Sequence, residues 1–161
     1  MTGLEEMLAS LDGVTDPEPV QVRWLLTISR EWVWWTLLRM RFTVLAAAYP
    51  RSVMVHGNAP QGDQQAARIW HEEFGGQVDP WPADWGTCTD ECRHRPRFNR
   101  AGQPYCPVAG FRRNTAMVQQ GRCRYAEAFI HNHSRGATDC AKKAKAAGLI
   151  VTIHRNPWGP R

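Results

Sequence analysis

The stretch "VMVHGNAPQGDQQAARIW" at residues 53–70 decides the fold. It opens on an apolar run of strand length. From residue 62 onward Ala66, Ala67, Ile69 and Trp70, then Phe74, recur on one side of a helix. Between the two, His56, Gly57, Asn58, Ala59, Gln61, Gly62 and Asp63 occupy the passage from strand to helix. A glycine-bearing turn lets backbone N–H groups approach an anion closely, and the positive end of the following helix favours phosphate there. An ordinary tight turn has a similar composition, because the loop lacks both the dinucleotide pattern G-x-G-x-x-G and the lysine of a P-loop. Asp63 suits either a helix cap or a ribose hydroxyl.

The same alternation continues on both sides of this stretch. "VRWLLTISR" (residues 22–30) reads as a strand ending in Thr27, Ser29 and Arg30, and residues 32–48 as a long helix stopped near Pro50. A short strand follows at 77–79, then "WPADW" and a long irregular section. Residues 114–120 read as helix, "AEAFIH" as strand, "GATDCAKKAKAAG" as a helix closed by Gly148, and "LIVTIH" as a last strand. Strands alternating with helices predict a mainly parallel sheet covered on both faces, a single Rossmann-like α/β domain over residues 21–156. An acidic leader, with room for one short helix, occupies 1–20, and a tail occupies 157–161. Ligands of such sheets sit beyond the carboxyl ends of the strands. Three more loops fall at that end: "TISRE", "AGFRRNTAM" before its helix, and "HNHSRGATD". Each offers small residues, hydroxyls or arginine where phosphate or ribose can be held.

The chain has 161 residues, 43% apolar and 22% charged, a balance that fits one domain with a full hydrophobic core. Arg30, Glu31, Arg39 and Arg41 interrupt the most apolar region, so no run of about 20 apolar residues exists and no membrane span is expected. The leader is acidic without a basic n-region, which predicts a cytoplasmic protein without a secretory signal. The net charge of +5 is uneven: acids crowd residues 5–18, while the densest basic run lies at 93–124. That run is a solvated face, a phosphate site or a nucleic-acid surface.

The ordered motifs "TISREW", "HGNAPQGD", "WPADW", "AGFRRNTAM", "AFI" and "SRGATD" resemble the YspA-related branch of the SLOG superfamily. Its relatives include the DNA-processing protein and the lonely-guy phosphoribohydrolases. The likeness runs over residues 22–154 and leaves the leader outside. It implies a Rossmann-like fold that binds a nucleotide or nucleotide-derived molecule. Ser29 and Arg30 match the family's Gly-Ser-Arg turn, with Ile28 in place of its glycine. Gly57, Asn58, Ala59, Gly62 and Asp63 fall in its glycine-rich loop. Arg113, Asn114 and Met117 match its Arg-Asn-x-x-Met element, with Gly110 just ahead as a further ligand-binding candidate, although Met117 also suits a plain core contact. Ser134, Arg135, Gly136, Ala137 and Thr138 match its second phosphate loop. The lonely-guy enzymes carry a glutamate after that loop, where this chain has Cys140 or Ala141. Asp63 and Asp139 are the nearby carboxylates, and neither has a recognisable catalytic placement. Binding is therefore favoured over catalysis, with Arg113 and the glycine loops on phosphate and Asp63 or Asn58 on ribose. A surface salt bridge is the other reading of Arg113. The resemblance also makes a homodimer the expected assembly, and the Trp-rich first helix offers one interface for it.

The section "CTDECRHRPRFNRAGQPYC" brings Cys88, Cys92, His94 and Cys106 into a basic insertion at residues 86–108. A loop this long needs something to order it. Three thiolates and one imidazole complete a tetrahedral structural zinc site, and Cys-x3-Cys sets two ligands close in sequence. The other readings are a disulfide, disfavoured in a reducing compartment, or unpaired thiols. Similar inserts in actinobacterial and phage members support the metal. His71 and His133 stand as alternatives to His94, and Cys123 and Cys140 read as buried free thiols.

Most of the tryptophans suit a core, with Trp32 and Trp35 on one helix face, Trp70 in its own helix, and Trp34, Trp81 and Trp158 in the same set. Trp85, beside the ligand-end loops, suits either packing or cover for a nucleobase. Three functions follow. The first is a small-molecule nucleotide binder, a sensor or sequestering protein for a nucleotide signal. The second is a nucleotide N-glycosidic-bond hydrolase. The third is a single-stranded nucleic-acid binder using Arg93, Arg95, Arg97, Arg100, Arg112 and Arg113 interleaved with Phe98, Tyr105 and Phe111.

Overall fold

The computed structural model describes residues 21–156. They run β1 (Arg23–Ile28), α1 (Trp35–Ala48), β2 (Val53–His56), α2 (Asp63–Phe74), β3 (Gln77–Pro80), β4 (Arg97–Phe98), β5 (Pro104–Tyr105), α3 (Ala109–Gln120), β6 (Tyr125–Ile130), α4 (Arg135–Ala146) and β7 (Ile150–Arg155). The leader, the tail and Trp158 lie outside the described residues. Five strands pair in parallel in the order β3-β2-β1-β6-β7, and β4-β5 forms a separate antiparallel pair. The protein is thus a Rossmann-like α/β domain. No helix among the described residues is long and apolar enough to cross a membrane.

β1, β2 and β6 are buried almost throughout, as central parallel strands covered on both faces must be. Alternate residues of β1 enter different cores. Trp24, Leu26 and Ile28 meet α1 and α2 through Leu38, Phe42, Ile69 and Trp70, while Leu25 meets Val55, Met117 and Cys140 on the side of α3 and α4. The first core is aromatic: Trp24, Phe42 and Trp70 stand edge to face with ring centroids 5.2–5.7 Å apart. The second is small, because Ala137, Cys140, Ala141 and Ala144 let α4 lie close on the sheet. α2 stops where Gly75 adopts φ +64°, a left-handed turn that glycine enters without steric cost.

Two helix starts differ from the sequence reading. α1 begins at Trp35, not at residue 32, and Trp32 packs from the preceding loop onto Phe129 at 5.3 Å between centroids. Trp32 and Trp35 therefore share no helix face. α3 begins at Ala109, five residues before the expected start, so Gly110 and Arg113 lie within the helix and not in a loop ahead of it. The 86–108 section is not wholly irregular either. The Asn99 side-chain oxygen accepts N–H bonds from Ala101 (2.9 Å) and Gln103 (3.0 Å), which turns the chain between β4 and β5.

Phe42 touches three aromatic rings, Trp24, Trp70 and Phe74, and is fully buried. Phe42→Ala should cost about 3–5 kcal/mol in urea unfolding. A loss below about 1 kcal/mol would mean that this cluster does not anchor α1 to the sheet.

Candidate functional site

The chain leaves β1 toward α1 and β2 on one side, while β6 enters the sheet on the other side of β1. Neighbouring connections part at this point, and a crevice opens beyond the strand ends. Ser29 fastens its floor: its hydroxyl accepts the His131 N–H at 2.9 Å and donates to the His131 carbonyl at 3.3 Å. Above it lies a cavity of about 730 Å³.

The cavity draws on every loop that the sequence assigned to it. Ser29, Arg30, Ala59, Asp63, Trp85, Gly110, Arg113, Asn114, Ser134, Arg135, Gly136 and Ala137 all line it. Gly57, Asn58, Gly62 and Thr138 do not, and three of them act one step behind. A Cβ on Gly57 would overlap the Arg113 guanidinium, and one on Gly62 would press on the Ile28 and Ser29 carbonyls at 3.1–3.2 Å. Asn58 donates its N–H to His56 Nδ1 at 3.1 Å. Sequence reasoning missed Glu31, Pro107, His131 and Asn132 as lining residues. One signal is conformational: Asn58, Gln61, Asn132 and His133 have φ between +47° and +70° in the two loops at the crevice. Non-glycine residues held there carry strain that the surrounding structure must impose, a pattern concentrated at ligand sites.

Arg113 forms no ion pair among the described residues. Its guanidinium sits against the bare α-carbon of Gly57, donates to the Trp81 carbonyl at 3.1 Å and holds Asn114 Oδ1 at 3.0 Å. Two of its five N–H groups are thereby used. Burial, helped by the Arg113 charge, pushes His56 down to about 4, so its ring is neutral at pH 7. Asn114 donates to the Gly136 carbonyl (3.2 Å) and to Asp139 (2.9 Å), joining α3 to the start of α4. Asp139 also holds Lys143 at 2.9 Å and stands outside the cavity lining. Asp63 and Glu31 are the carboxylates that line the cavity, against Arg30, Arg113 and Arg135. The Ser134 side chain makes no cap bond to α4, so the first N–H groups of that helix stand beside the cavity without one.

Cys88, Cys92, His94 and Cys106 form a second constellation, their ligand atoms all within 4.8 Å of one another. Cys88 Sγ lies 3.6 Å and Cys106 Sγ 3.5 Å from His94 Nε2, and Cys92 Sγ lies 3.6 Å from Cys106 Sγ. Zn–S bonds of about 2.3 Å put tetrahedral ligands about 3.8 Å apart, so these spacings fit an ion at the centre. His94 Nδ1 donates to the Arg95 carbonyl at 2.8 Å, which leaves the Nε2 lone pair facing the sulfurs. Arg112 donates to Cys106 Sγ (3.0 Å), Cys92 Sγ (3.3 Å) and the Thr87 carbonyl (2.7 Å). Burial raises the Cys106 thiol, but bonds from His94, the Val108 N–H and Arg112 overcome it and bring the group to about 6. The four residues can hold a metal ion. His71 lies in α2 and His133 lines the cavity, so neither replaces His94. Cys140 is buried and Cys123 half-buried, and burial pushes both thiols up to about 12.

The two sites adjoin. The Cys106 N–H donates to the Trp85 carbonyl at 2.7 Å, and the Trp85 ring lies over Gly110, where an added Cβ would meet it at 3.2 Å. No family model, curated protein or solved structure matches this chain.

Asp63 is 5% exposed, and burial lifts its carboxyl from 3.8 to about 6, against the pull of the Ala59 N–H and the Arg113 charge. The fold therefore favours its protonated form. That contribution is complete below about pH 4 and is lost as pH rises through about 6. Asp63→Asn keeps the shape without the charge. Relative to the parent chain it should gain roughly 2–3 kcal/mol more in urea unfolding at pH 7.5 than at pH 4. An identical difference at both pH values would show that Asp63 bears no buried-charge penalty.

Proposed function

We propose that the protein binds a nucleotide or nucleotide-derived small molecule in the cavity between β1 and β6. The observation that carries this reading is the convergence of Arg30, Arg113, Arg135 and the start of α4 on one crevice at the parting of the strand connections. Arginines and helix-end N–H groups hold phosphate, and a cavity of about 730 Å³ accommodates a mononucleotide or a somewhat larger derivative. Asp63, buried beside them, is the group for a ribose hydroxyl. Trp85, 51% exposed at the cavity wall, offers an aromatic face to a base. The resemblance to the SLOG superfamily points the same way, and the role suggested is a sensor or sequestering protein for a nucleotide signal.

Thermal unfolding against AMP, ADP-ribose, NAD and cyclic mono- and dinucleotides tests this. A ligand at about 100 times its Kd should add roughly 2.7 kcal/mol, and Arg113→Ala should abolish most of that gain. Equal stabilisation of the parent and of Arg113→Ala would remove Arg113 from the site, and no response to any member of the panel would count against the reading. Mass spectrometry of the ligand separates binding from the hydrolase alternative: recovery of the free base and ribose moiety means N-glycosidic cleavage.

We further propose that Cys88, Cys92, His94 and Cys106 hold a structural zinc ion. The support is a sulfur-rich donor set with tetrahedral spacing and Arg112 offsetting its charge. Four protein ligands leave no position for a reactive water. Protein purified without a histidine tag should carry one zinc per chain, and Cys106→Ser should lose it together with several degrees of Tm. Metal content far below one per chain after gentle preparation would sink the assignment.

A further inference from the structure

Between Glu91 and Glu127 the chain has no carboxylate side chain, and the β4-β5 hairpin lies in the first half of that interval. Arg93, Arg95, Arg97 and Arg100 are exposed there, and none of their side chains makes an ion pair or hydrogen bond among the described residues. A solvated helix face usually interleaves both signs of charge, whereas this hairpin carries one sign only. Phe98 is 63% exposed at its centre, which leaves an aromatic face open among the arginines. The pairing Arg97↔Tyr105 and Phe98↔Pro104 sets Phe98 on the opposite face from Arg97 and Tyr105. That second face borders a shallow groove of about 260 Å³, lined also by Gly86, Cys88 and His94. Gly86 in this groove is the chain neighbour of Trp85, which lines the larger cavity.

We propose that this hairpin is a binding surface for single-stranded nucleic acid, a second function independent of the small-molecule cavity. Guanidinium groups spaced along a short ribbon match a phosphate backbone, and the bare phenyl ring of Phe98 offers a stacking platform that only an unpaired base can reach. An acidic protein surface would use the arginines but leave Phe98 without a role. Three thiolates around a divalent ion leave a net charge of about −1, which Arg112 offsets, so the metal centre does not cancel the arginines above it. Its part is to hold the hairpin base, where His94 and Cys106 flank the two strands.

Fluorescence anisotropy of a labelled oligothymidylate about 12 nucleotides long, titrated with the full metal-loaded chain, tests the surface. Binding should weaken steeply between about 50 and 200 mM salt. Replacing Arg93, Arg97 and Arg100 together by Gln should flatten the log–log salt slope by about 2, from about 0.7 per phosphate contact. Phe98→Ala should weaken binding about ten-fold and leave the slope unchanged. Both variants should keep the parent's metal content, Tm and response to mononucleotides, which separates this surface from the cavity. Absence of binding at about 50 mM salt, affinity untouched by either variant, or tighter binding of a duplex of equal length would each overturn the proposal.

Discussion

The hydroxyl of Ser29 holds together two chain segments that the topology drives apart. A central parallel strand can send its connection to one side only, and here the next strand in space, β6, sends its own connection to the other. Strand ends at such a point lose ladder partners and face a crevice, so their backbone groups need other bonds. Ser29 supplies them: its N–H continues the ladder to the Phe129 carbonyl at 2.9 Å, and its hydroxyl takes the His131 N–H and returns a bond to the His131 carbonyl. Arg30, Asn132 and His133 then leave the floor in diverging directions, and the cavity is the space they bound. The serine that the sequence nominates as a ligand contact therefore spends its hydroxyl on the protein itself.

The strands of the sheet were readable because burial on both faces demands continuous apolar runs, and "RWLLTI" and "VMVH" provide them. Gly148 marked a helix end for an equally direct reason, since it sits at positive φ, as the unforeseen Gly75 does after α2. The start of α3 was hidden because its inner face includes Ala109 and the buried amide of Asn114, which breaks the apolar spacing before Met117 and Val118 restore it. The hairpin was hidden because strands of two residues show no periodicity, and a side chain, Asn99, makes its turn. Glu127 was hidden by its company: within "YAEAFI" it is a buried carboxylate, tolerable only because Arg41 reaches it at 2.8 Å and His154 at 2.5 Å from distant parts of the chain.

The candidate site was legible in its loops and less so in its division of labour. Residue types led to loops that line one crevice, but only distances separate those that face it from those that support it. Gly57 is the plainest case. Its glycine serves close approach by Arg113, not a turn requiring positive φ, and nothing in "HGNAPQGD" distinguishes the two uses. The cysteines were easier, because thiols have few reasons to gather at an exposed insertion apart from a metal or a disulfide.

Arg112 and Arg113 show how the two constellations are joined. Consecutive residues on an α-helix point about 100° apart, so neighbouring arginines on α3 cannot serve one site but can serve two. Arg112 turns to the sulfurs of Cys92 and Cys106, and Arg113 turns to Gly57 and the Trp81 carbonyl beside the cavity. Each fixes the rotation of the helix about its own axis, and the setting that satisfies one satisfies the other. Cys106, three residues ahead of the helix, and Trp85, bonded to its N–H, complete the link from the opposite strand of chain. The Cys/His cluster is thus tied through Arg112 to the first turn of α3, and with it to the position from which Arg113 faces the cavity.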